Sequence, residues 1–87
     1  MKILKWDVDV DNRDHAIGAG RVVHVACQFG PYSVQVWTVE HDHIAMRQAR
    51  VVGTGQEIPS GAEVLGTAVT TFGLVWHVIE TKAASDD

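Results

Sequence analysis

The feature that most constrains this chain is a strand-forming run that is apolar on both sides, Leu74-Val75-Trp76-His77-Val78-Ile79-Glu80. Its β-branched and aromatic residues favour extended backbone. Side chains of a strand alternate between faces. Leu74, Trp76 and Val78 therefore share one face, and Val75, His77 and Ile79 share the other. Arg21 to Gln28 has the same character, with Val23, Val25 and Cys27 opposite Val22, His24 and Ala26. Ser33 to Glu40 sets Val34, Val36 and Thr38 against Gln35, Trp37 and Val39. Each of these strands needs cover on both sides.

The chain has few means of providing that cover. Its 87 residues make one small domain, and a domain of this size buries only roughly 60–65 % of its unfolded surface. Small domains gain stability from a metal, disulfides or a partner subunit. Cys27 is the only cysteine, so no intrachain disulfide forms and no Cys-rich zinc site exists; it reads as a small core residue. No helical layer is evident. A second subunit covering the free face is the simplest remedy, and a homo-oligomer, most simply a dimer, is expected.

The remaining segments punctuate a β domain. In Ile3 to Val10, Leu4, Trp6, Val8 and Val10 oppose Ile3, Lys5, Asp7 and Asp9, as in a half-buried edge strand with a charged outer row. Asp11 to Gly20 is mostly connection, with a short extended piece near His15–Ile17. Phe29-Gly30-Pro31-Tyr32 closes an antiparallel hairpin. Residues 44–52 carry helix formers, and Asp42 could cap a helix. The segment nevertheless ends Arg50-Val51-Val52 before Gly53-Thr54-Gly55. We read it as a strand, with helix as the alternative. Gly53 to Gly61 is loop, and Glu63 to Thr71 is a strand that Gly66 weakens or bulges. The sequence predicts an all-β, antiparallel domain of five to six strands over residues 1–82, as a small sandwich or partly open barrel. Residues 83–87 form a polar tail.

Ile17, Gly20 and Val23 recur as Ile58, Gly61 and Val64, and each set leads to a Phe-Gly turn and a Trp-x-Val strand. Two related hairpins would explain the echo; chance in a β-rich chain explains it nearly as well.

Seven basic against eleven acidic residues give a net charge of −4. No basic surface for nucleic acid is visible. The acids gather at Asp7, Asp9, Asp11 and Asp14 and at Asp86 and Asp87. Met1 to Val10 carries four charged residues and no apolar core, unlike a signal peptide. The uncharged run from Val64 to Ile79 is too short and too broken to span a bilayer. Neither a nucleic-acid nor a membrane partner is expected.

Several residues could carry chemistry. His41 and His43 would share a strand face, as metal ligands require, but they sit in a polar turn and no metal is expected. His24 and His77 lie mid-strand, where a histidine usually has a structural hydrogen bond. Gly53-Thr54-Gly55 resembles the start of a phosphate-cradling loop but lacks the Gly-Lys-Ser/Thr that follows in a P-loop. Arg47 and Arg50 could grip one anion only from a helix, because on a strand they face apart. Trp6, Trp37 and Trp76 are core candidates first; one lining a cleft could stack on a planar ligand. No nucleophile elbow or paired carboxylates are visible. If the chain binds a ligand, the candidate residues are Trp37, Arg47, Arg50, Thr54, Trp76 and His77. No cofactor is called for.

The run Arg50 to Pro59, then Leu65-Gly66-Thr67, then Val75 to Glu80, resembles a family of small proteins encoded by tailed phages of actinobacteria, mycobacteriophages especially. The resemblance is firmest over residues 47–80 and favours strand for 45–52. It brings no activity and no catalytic residue. It implies a viral protein at work in the host cytoplasm: a non-enzymatic accessory protein that binds a host factor or small signalling ligand in host takeover or counter-defence. The alternatives are a minor virion or assembly component and a small histidine-dependent enzyme.

Overall fold

The computed structural model of the chain describes residues 1–84. Asp86 and Asp87, and with them most of the expected polar tail, lie outside the described residues. The described chain is all-β: β1 (Lys2–Asp9), β2 (His15–Gly18), β3 (Arg21–Ala26), β4 (Ser33–Glu40), β5 (Met46–Gly53), β6 (Glu63–Val69) and β7 (Val75–Lys82). That is one or two strands more than expected, because the short piece at His15–Gly18 pairs along β5. The ambiguous segment is β5, a strand. Its helix formers are overruled by ladders on both sides, to β2 and to β7.

The strands form two antiparallel sheets, one ordered β1-β4-β3 and the other β2-β5-β7-β6. Their inner faces enclose a core of Val8, Ile17, Val34, Val36, Ala49, Val51, Ala68 and Val78, with Trp6, Val22, Val25, Leu65 and Trp76 packed against it. The sheets do not close into a barrel. Edge strands β3 and β6 meet at a seam without a ladder among the described residues. Gly66 permits the approach, since a Cβ there would lie 2.4 Å from Val25 Cγ2.

Strict alternation fails in β3 and β6, because each carries a bulge. The β3 register shifts between Val22 and His24, and the β6 register between Val64 and Gly66. An extra residue on one strand flips the faces beyond it. Val22 thus joins Val25 and Cys27 on the core side, while Val23 and His24 are exposed. This corrects the face assignment expected for Arg21 to Gln28. In β6 the bulge turns Leu65 inward and leaves Val64 exposed.

β1-β4-β3 and β5-β7-β6 share one connectivity, a strand followed by a hairpin whose second arm returns to pair with it. The tryptophans of the sequence echo are not equivalent, however. Trp76 faces the core, and Trp37 lies on the outer face of its sheet against His24, with ring centroids 5.2 Å apart.

The second face of β7 is covered by the chain itself. Val52 and Ile79, on the outer side of the four-stranded sheet, are 4 % and 1 % exposed. The connection from Gly53 to Ala62 folds back over them. The outer face of the three-stranded sheet is covered only in part, with Gln28 and Phe29 folded against Gln35 and Lys5, and Ile3, Val23 and Phe29 are exposed beside it.

Candidate functional site

The loop over the outer face of β7 gathers most of the side chains with chemical potential. β5 ends at Gly53, and Gln56 N donates to Gly53 O (3.2 Å) to close a turn with Gly55 at φ +89. Only glycine takes that conformation without strain. The turn places Thr54 over His77, which the β5–β7 register sets opposite Val52. Thr54 Oγ1 is 2.8 Å from His77 Nε2. On the other side of the ring, His77 Nδ1 is 2.8 Å from Oγ1 of Thr67, its cross-strand partner in β6. A neutral imidazole has one donor and one acceptor nitrogen. It therefore donates to one threonine and accepts from the other, and the chain of bonds ties the loop to two strands.

Beside this chain of bonds is a hollow of about 230 Å³, lined by Val52, Ile58, Val64 and Ile79 together with Thr54, Gln56 and His77. A second, more open hollow of about 460 Å³ shares Gly53 and Thr54 and continues along Leu74, Val75 and Trp76. Trp76 is fixed by donating from Nε1 to Pro31 O (2.6 Å). The site thus combines an apolar floor, one imidazole and two hydroxyls. A Thr54 hydroxyl at hydrogen-bond distance from a histidine has the spacing of a nucleophile and its base. The opposite ring nitrogen meets only the neutral Thr67 hydroxyl, which stabilises an imidazolium far less than a carboxylate would.

Of the residues singled out from sequence, Thr54, Trp76 and His77 come together here. Trp37, Arg47 and Arg50 do not. Trp37 lies on the other sheet. Arg50 pairs with Asp14 on the surface (Nη2–Oδ1 2.8 Å). Arg47 points into the end of the sandwich. It donates from Nε to Gly18 O (3.0 Å), from Nη2 to Gly20 O, and from Nη1 to Glu80 Oε2 (3.3 Å). Its fork is committed to the fold. Nearby, Glu40 Oε2 accepts the Gly20 amide (3.0 Å). His24 and His77 stand on the outer faces of different sheets. His41 and His43 are exposed between β4 and β5, and no group of three His, Cys, Asp or Glu side chains gathers for a metal among the described residues. Thr67 was not singled out from sequence. Its one signal is its place ten residues before His77 across a hairpin, and that gains meaning only once the bulged register is known.

Two titrating groups lie away from the site. Asp11 accepts from His15 Nε2 (2.9 Å) and from the Arg13 amide (3.0 Å), and these bonds, His15 foremost, hold its carboxyl below the usual range. Burial pushes the Cys27 thiol up, which keeps it protonated and unreactive near neutrality.

Fold and site together define a small two-sheet β domain with a loop-covered pocket built around one histidine. The chain belongs to the family described as a domain of unknown function (DUF7352), whose model matches residues 1–87. No curated protein and no solved structure matches it. No helix among the described residues is long and apolar enough to cross a membrane.

Proposed function

We propose that this is a non-enzymatic, homo-oligomeric bacteriophage accessory protein that captures a small signalling ligand in the host cytoplasm, in host takeover or counter-defence. The phage setting is supported by the sequence resemblance over residues 47–80. Binding is supported by one observation above all, the apolar hollow roofed by the Gly53–Ala62 loop with His77 held in a fixed orientation between Thr54 and Thr67. Ligand sites are apolar hollows with a few oriented polar groups. At about 230 Å³ this hollow is below the roughly 300–1,000 Å³ of drug-sized pockets. It suits one flat ring, with any substituent running along the second hollow towards Trp76. A purine or pyrimidine meets this description, with apolar faces and a hydrogen-bonding edge for His77 and Thr54.

The test is an amide-resolved NMR titration of the full chain with nucleosides and cyclic nucleotides. Shifts confined to Gly53–Gln56, Val64 and His77, and lost in Ile58→Trp, which fills the hollow, are the expected result. An unperturbed spectrum across the panel would remove the ligand reading.

A further inference from the structure

Strand β1 is the longest edge strand among the described residues, and its sequence is complementary to itself. Val10 donates its amide to Tyr32 O (2.9 Å), continuing the β1–β4 register. In an antiparallel ladder, residues alternate between bonding to the neighbour and turning away from it. The even-numbered residues of β1 therefore bond to β4. Ile3, Lys5, Asp7 and Asp9 turn their amides and carbonyls towards the free edge. These residues also carry the outer row of side chains, with Lys5 and Asp7 two positions apart.

We propose that a second copy of this chain adds to that edge, β1 against β1 antiparallel, with the two-fold axis at Trp6. This deepens the self-association proposed above and rests on it. A two-fold pairing that keeps outer residues opposite outer residues has few registers to choose from. Centred on Trp6, it places Lys5 opposite the partner's Asp7 and Asp7 opposite the partner's Lys5. The inner row then sets Leu4 against the partner's Val8. Centred on Lys5, it sets Lys5 against the partner's Lys5; centred on Asp7, it pairs Lys5 with the partner's Asp9 but sets Asp7 against the partner's Asp7 at the axis, which disfavours pairing. Charges on an edge strand ordinarily prevent pairing. Here the same charges favour the register centred on Trp6, which alone of these three sets no like charges opposite one another.

Both side chains can take the new partner. Lys5 Nζ rests 4.9 Å from the centre of the Phe29 ring and 3.4 Å from Gln28 Oε1, and it has further protons to donate. Asp7 accepts from Gln35 Nε2 on one oxygen (3.0 Å) and keeps the other. Joining the edges would make one six-stranded sheet of the two three-stranded ones. The isologous contact closes, so association stops at a dimer.

The test is sedimentation of the full chain as a concentration series. The wild type is expected to dimerise. Lys5→Asp sets two pairs of carboxylates opposite each other and should weaken the dimer about tenfold or more. The double variant K5D/D7K exchanges the partners and should restore dimerisation. Lys5→Pro removes an edge amide without touching the β4 ladder, and should also give a monomer whose circular dichroism is unchanged. A dimer indifferent to Lys5→Asp and Lys5→Pro would overturn the edge pairing and leave self-association standing. A wild-type monomer throughout the series would overturn both.

Discussion

At the scale of single residues, Arg47 shows how a charge can be a structural element. Its side chain is 8 % exposed, and its fork closes the end of the sandwich between Gly18, Gly20 and Glu80. Removing one partner of such a group leaves buried carbonyls and a carboxylate without donors. Arg47→Met is therefore expected to lose about 3–5 kcal/mol in urea denaturation. Arg47→Lys should recover only part of it, because an ammonium cannot reproduce the fork. Asp11 makes a second case, readable by pH. Its folded-state carboxyl is held below the ordinary aspartate value of 3.8, so its contribution is present above that value and lost as pH falls through the lowered one. A carboxyl-detected NMR titration should show the Asp11 midpoint rising towards 3.8 in His15→Ala. An unmoved midpoint would mean that the Arg13 amide alone holds it.

At the scale of elements, the bulges decide which side chains meet. The alternation of Leu4, Trp6 and Val8 was legible because polar residues separate them. The inward turn of Val22 was not, since in Arg21-Val22-Val23-His24-Val25 the added residue, Val23, is as apolar as the Val22 before it and the pattern shows no break. At Val64-Leu65-Gly66 the glycine did mark the bulge, but not that Leu65 rather than Val64 turns inward, and so the place of Thr67 stayed hidden. Gly53-Thr54-Gly55 was legible as a turn, and His77 as a mid-strand polar residue. Their contact was not, because it depends on how a distant loop folds back. The contact makes a measurable clip. Thr54→Val and Thr67→Val should each cost about 0.5–1.5 kcal/mol. In His77→Phe the two losses should largely vanish, giving a non-additive cycle in chemical denaturation. Amide exchange over Thr54–Ile58 should accelerate in all three variants. At the seam, Gly66→Ala drives a methyl into Val25 and should destabilise the fold by about 1–3 kcal/mol. Val25→Ala in the same chain should relieve part of that loss, and strict additivity of the pair would show that the seam does not pack as described.

At the scale of the molecule, shared connectivity in β1-β4-β3 and β5-β7-β6 raises the question of whether each half is a domain in its own right. The core answers it. Val8, Val34 and Val36 from one unit pack against Ala49, Val51, Ala68 and Val78 from the other. β2, which precedes the hairpin of the first unit, completes the sheet of the second. Either half alone would expose one whole face of a three-stranded sheet, and a small sheet with one open apolar face is not stable in water. A cut in the exposed stretch His41–Ile44 severs none of the ladders. Fragments spanning residues 1–43 and 44–87 are therefore expected to be unfolded, or to aggregate, when separate. On mixing they should recover the β spectrum of the intact chain by circular dichroism, because each carries the face that the other lacks. A fragment that gave a dispersed, folded NMR spectrum by itself would show that one sheet closes its core without the other, and the two-layer account of this fold would fail.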